Sequence, residues 1–181
     1  PQKEGLVIPT EEEIKAVIAE VSAAELEAYA DNTVKKPLID PALKLKGSPV
    51  KATAENESLG FTEWTLKNGI KVVVRPSTLK ADEVFVNATS KGGCSMLTDE
   101  EYYNGAFLGM VMGQSGISEF SANELNKQLA GKSAYASIGV DSYEHAVNAG
   151  GSPKDIETIL QLVYLNFTAP RFDETDLQNM K

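Results

Sequence analysis

Few side chains in this sequence could do chemistry, and they are widely spaced. His145 is the single histidine, and it stands beside Glu144. A Glu-His pair suits a metal ligand or an acid–base catalyst. A catalytic zinc site, however, needs about three protein ligands, usually with more than one His or Cys among them. The other carboxylates have no supporting spacing, so a structural or surface histidine is the favoured reading. Cys94, the single cysteine, follows Gly92-Gly93. A nucleophilic thiol wants a neighbouring base, and the one imidazole lies on a different predicted element. One cysteine also excludes an internal disulfide and a cysteine-based zinc cluster. Asp99, Glu100 and Glu101 cluster at a predicted helix start, where the helix dipole favours negative charge without any catalytic role. Gly92-Gly93 and the Gly116 of Gln114-Ser115-Gly116-Ile117 match neither a phosphate-binding nor a dinucleotide fingerprint, since no Lys-Ser/Thr pair follows. Turn and helix-end roles fit them better, with Gly116 as a left-handed C-cap. The residues alone assign no catalytic and no metal-ligating side chain, and they leave the substrate-binding residues open.

The elements that would have to position a site are clearer. Thr10 with Glu13, Ser22 with Glu25, Thr98 with Glu101 and Ser121 with Glu124 each read as a capping box opening a helix. Ile14, Val17, Ile18 and Val21 follow the first at helical spacing. Phe120 and Leu125 are placed for a hydrophobic staple around the last. Ser152 reads as the cap of a further helix with Pro153 at its first position, and Ile156, Leu160, Val163 and Phe167 give that helix an apolar stripe. A further short helix, the fourth within residues 61–181, is expected near residues 173–181. Two runs, 61–66 and 70–74, flank Asn68-Gly69, which predicts a β-hairpin closed by a type I′ turn, with Ile70, Val72 and Val74 on one face. Residues 83–88 predict a third strand, and 134–148 a strand–turn–strand. The stretch from 31 to 60 is dotted with Pro and Lys, has weak periodicity and reads as an extended linker. Gly105, Gly109 and Gly113 fall at four-residue spacing on a predicted helix. Each costs roughly 1 kcal/mol against Ala in a helix interior, so close packing on that face is the expected compensation. The order of elements predicts an α+β layer fold: a mixed or antiparallel sheet with helices packed on one face, preceded by a helical linker.

Composition sets the outer limits. Apolar residues make up 42% and charged residues 24% of 181, ordinary proportions for a globular domain. A formal net charge of −9 argues against nucleic acid as a partner, since phosphate contacts need clustered Lys and Arg. Lys35-Lys36 beside Pro37 reads as a solvated linker instead. No apolar run approaches the roughly 18 residues of a membrane span. The chain opens on Pro1 and not Met, so it is expected to be a piece of a longer product.

Four stretches in sequence resemble the pitrilysin/insulinase-type zinc metallopeptidases. They are 65–74 (Thr-Leu-Lys-Asn-Gly-Ile-Lys-Val-Val-Val), 115–132 (beginning Ser-Gly-Ile-Ser-Glu-Phe), 150–157 (Gly-Gly-Ser-Pro-Lys-Asp-Ile-Glu) and 160–171 (ending Thr-Ala-Pro-Arg). The resemblance covers 61–181, and 1–60 looks like the segment joining the two halves of such a protein. Members of the family are built from homologous halves that close around a peptide. Their catalytic half carries His-x-x-Glu-His on its first long helix: two His bind zinc and the Glu serves as general base. Aligned on the Asn-Gly hairpin and the Gly-Gly turn, that motif falls at Ala106-Phe107-Leu108-Gly109-Met110. Ala106 and Met110 replace the two His, and Gly109 replaces the Glu. Apolar Ala106, Phe107 and Met110 suit a site refilled for packing.

The resemblance therefore implies the second, non-catalytic half of a two-half zinc peptidase. On this resemblance residues 61–181 are expected to form a domain cut short at its C-terminus, with 1–60 as a helical and extended inter-half linker. No cofactor is expected in this chain, and zinc is expected in the catalytic half of the parent protein. The implied partners are that catalytic half and a peptide substrate. The alternative is a catalytically lost scaffold or peptide-binding subunit that partners an active peptidase subunit. Bacterial relatives with this layout suggest a periplasmic or exported location.

Overall fold

The computed structural model describes residues 8–24, 36–105 and 108–179, without the side chains of Asn104 and Leu108. The chain divides into two compact units, residues 1–32 and 33–181. In the first, helix α1 (Glu11–Ala23) opens on the expected box: Thr10 N–H donates to Glu13 Oε2 at 2.7 Å and Glu13 N–H donates to Thr10 Oγ1 at 3.2 Å. Its apolar residues Ile14, Val17, Ile18 and Val21 are all exposed. Ser22 lies in the last turn of α1, and Glu25, its expected partner in the second box, lies outside the described residues.

The second unit holds two three-stranded sheets in which every pairing is antiparallel. Strands β1 (Val50–Asn56), β2 (Phe61–Leu66) and β3 (Lys71–Val74) make the first, in the order β1-β2-β3. Strand β1 belongs to the stretch whose weak periodicity reads as extended linker. Its Lys, Thr and Glu hide the alternation, and pairing with β2 is what defines it. The β2–β3 hairpin forms as expected, with Trp64 directly opposite Val72. Its turn is not type I′, because Gly69 takes positive φ (+89°) and Asn68 does not. Gly69 N–H donates to Leu66 O at 3.0 Å, and Leu66 N–H to Ile70 O at 2.8 Å. This is a three-residue loop, a type I turn followed by a left-handed glycine. The extra residue lets the strands close in register without a second positive φ.

Strands β4 (Val84–Lys91), β5 (Ala134–Val140) and β6 (Glu144–Gly151) form the second sheet in the order β4-β6-β5. Strand β4 runs three residues past the predicted end, its Lys91 opposite Glu144. One face carries the core: Val147 and Ala149 of central β6, flanked by Val84, Val86, Ala134, Ala136 and Ile138. Helix α5 (Ile156–Thr168) packs there through Ile159, which is fully buried, with Leu162 and Leu165 also buried. Fully burying such a side chain is worth about 1.5–3 kcal/mol. The predicted stripe of α5 is met only in part. Val163 packs against the core, but Ile156, Leu160 and Phe167 are exposed, and the adjoining face of Ile159, Leu162 and Leu165 is the one that meets the sheet. Nor does Ser152 cap α5 with its side chain. A 3-10 turn (Pro153–Asp155) intervenes, Ser152 N–H donates to Ser133 O, and Asp155 instead accepts from Ser133 N–H at 2.9 Å.

Between β4 and β5 lie α2 (Asp99–Gly105), α3 (Leu108–Ser115) and α4 (Ala122–Gln128), and α6 (Glu174–Asn179) follows α5. Helix α3 ends on Gly116 at φ +84°, where a Cβ would fall 2.2 Å from Phe120 O, so the expected C-cap holds. Buried Ser115 ties α3 to the chain entering α6, donating to Val111 O at 2.9 Å and accepting from Asp173 N–H at 3.1 Å.

Candidate functional site

The residues singled out by the sequence fall into two places, the glycine turn after β4 and the helix face that follows it. At the turn, Gly92, Cys94 and Ser95 donate main-chain N–H groups to the carbonyls of Tyr143, Asp141 and Ser142, each at 2.8 Å. Gly93 takes φ +62°, and a Cβ there would lie 2.2 Å from Asp141 O. Glycine is required by both conformation and space. His145, on β6, is exposed, and its Nδ1 accepts a long bond of 3.4 Å from Gly93 N–H. In the neutral imidazole the proton then sits on Nε2. The fold therefore brings His145 to the turn that carries Cys94, although the two lie on different elements. Cys94 is partly buried, and its thiol makes no hydrogen bond among the described residues. No base–nucleophile pair is formed.

The acidic cluster caps a helix. Thr98 N–H and Oγ1 donate to Glu101 Oε2 at 2.8 and 2.9 Å. These bonds, the main-chain one first, hold the Glu101 carboxyl below its ordinary pKa. Ser121 treats Glu124 the same way at α4, its hydroxyl contributing most.

On α3, Gly109 and the Met110 side chain are exposed, so position 110 is not refilled for packing. Ala106 and Phe107 lie outside the described residues. A Cβ added to Gly105, Gly109 or Gly113 would meet no described atom within 4 Å, so no close neighbour offsets the helix cost of these glycines. They border a cavity of 870 Å³ bounded by α3, α4, α5 and edge strand β5. Sequence reasoning missed this cavity, and also Arg171 on its wall. The bare glycine positions were the available signal, but they point equally to packing. Among the described residues, no three His, Cys, Asp or Glu side chains gather to hold a metal ion. The described residues do not fit a zinc ion.

The site is thus an apolar cavity beside a small antiparallel sheet, in an α+β layer with no zinc ligand set among the described residues. No family model matches the chain. Over 161 residues, 88% of its length, it is 25% identical to a zinc protease PQQL-like of Arabidopsis thaliana. Its fold matches the periplasmic protease PqqL from Escherichia coli with a TM-score of 0.71 at 19% identity over 95% of the chain. The ferredoxin protease FusC, solved in complex with Arabidopsis ferredoxin, matches with a TM-score of 0.64 at 20% identity, again over 95%. The chain spans 14% of the length of the Arabidopsis protein and 19% of each structural relative. The sequence similarity relates it to zinc proteases of the pitrilysin type, and the structural matches show their fold.

Proposed function

We propose that the chain is a non-catalytic part of a two-half zinc metallopeptidase, enclosing peptide substrate while the zinc site lies elsewhere in the parent polypeptide. The observation that carries the reading is the helix after the Gly92-Gly93 turn. Where relatives would keep His-x-x-Glu-His, the described positions of α3 carry Gly109 and Met110. Neither supplies a ligand or a base. On this reading residues 61–181 form the supporting domain and 1–60 the inter-half linker, whose strand β1 extends the domain's first sheet by pairing with β2. The periplasmic relative favours an exported parent protein.

Elemental analysis of purified chain tests it. We expect zinc well below one equivalent per chain after dialysis against the free ion. One equivalent of zinc, retained in His145→Ala, would show a ligand set that the reading excludes.

A further inference from the structure

We infer that Met96 and His145 form a binding site for a soft monovalent cation, copper(I) or silver(I), over the bare Cα of Gly92. The fold brings the two side chains there from distant parts of the chain. Antiparallel pairing sets Ser90 of β4 opposite His145 of β6, so the imidazole stands beside the glycine turn. The chain then winds into a 3-10 turn (Gly93–Met96), in which Ser95 Oγ donates to Gly92 O at 2.6 Å. That winding returns the Met96 side chain over Gly92. A Cβ on Gly92 would lie 2.7 Å from Met96 Sδ, 2.9 Å from His145 Cε1 and 3.2 Å from His145 Nδ1. Sulfur and imidazole nitrogen therefore face one small space, which is open because residue 92 has no side chain.

Burial does not account for the pairing. Met96 is 74% exposed and His145 is exposed, so their contact hides little apolar surface, and both are open to an ion from solvent. The lone pair on the facing side belongs to Nδ1, since the proton of neutral His145 sits on Nε2. The bond that Nδ1 accepts from Gly93 N–H is long at 3.4 Å, so exchanging it for a metal bond forfeits little. The donor set selects the ion. Thioether sulfur is soft and favours copper(I), and imidazole suits copper as well. Zinc takes thiolate, imidazole and carboxylate, and it wants about four ligands. Closed-shell monovalent ions are satisfied by two donors. Cys94 stands two residues before Met96, and its thiol is a competing soft ligand that the test removes.

Silver(I) is the probe, because it keeps its oxidation state in air. Chain carrying Cys94→Ser, isotope-labelled for imidazole nitrogen and methionine methyl signals, is titrated with silver nitrate in chloride-free buffer at neutral pH and followed by NMR. His145 is the single histidine, so its signals are unambiguous. Saturation is expected near one equivalent, with Nδ1 and the Met96 methyl group shifting together while Nε2 keeps its proton. Met96→Leu, read on Nδ1, and His145→Ala, read on the Met96 methyl group, should each weaken binding about tenfold or more. Thermal melts should stay unchanged, as both side chains are exposed. Silver held only when Cys94 is present, an affinity that neither substitution moves, or zinc binding the pair as tightly as silver would overturn the site.

Discussion

At the scale of single residues, the glycines separate into two kinds that look alike in sequence. Gly93 is fixed by its surroundings, since its positive φ and the Asp141 carbonyl leave no room for a methyl group. Gly93→Ala is expected to destabilise the chain by roughly 2 kcal/mol or more, read as a lower denaturation midpoint with unchanged m-value. Gly109 and Gly113 have normal helical φ and open space, so nothing in the described fold demands glycine there. His145 and Cys94 show the complementary limit. Their types were plain, but only the antiparallel β4–β6 pairing, which sets Ser90 opposite His145, brings the imidazole to the glycine turn. That proximity still yields no catalytic pair, because the imidazole nitrogen facing the turn is bonded to main chain.

At the scale of elements, what depends on neighbours three or four residues away was legible. The boxes at Thr10, Thr98 and Ser121 close as the sequence implies, because each needs only a hydroxyl and a carboxylate three positions apart. What depends on partners distant in sequence was not. The turn at Lys67–Gly69 follows the register of β2 against β3. Helix α5 is apolar on two adjacent faces, and only the sheet decides that Ile159, Leu162 and Leu165 go inward while Leu160 and Phe167 stay out. The boxes carry a pH dependence. The carboxyls of Glu101 and Glu124 have pKa values lowered in the folded chain by bonds from Thr98 and Ser121. Their contribution is therefore complete above the ordinary glutamate pKa, about 4.3, and is lost as pH falls through the lower folded values. Protection of the first-turn amides of α4, taken as the intrinsic exchange rate at each pH divided by the observed rate, should fall on acidification across that window in wild-type chain. In Glu124→Gln protection should already be low at neutral pH, with a much flatter acid response.

At the scale of the molecule, the described surface keeps many large apolar side chains open, among them Phe85, Met110, Leu160 and Phe167. The chain spans only 14–19% of the relatives it matches, so a surface of this kind fits a part that works beside others. The layer architecture was readable from the order of hairpin, strand, helices and second hairpin. The cavity was not, since it arises from where α3, α4 and α5 stand around β5. The central claim is that the chain holds peptide and does not cut it. The most direct measurement is mass spectrometry of an unstructured peptide substrate incubated with purified chain and added zinc. The account predicts that the peptide is recovered intact over a period in which an active relative would degrade it. Cleavage by the chain alone, abolished by a chelator and restored by zinc, would contradict it.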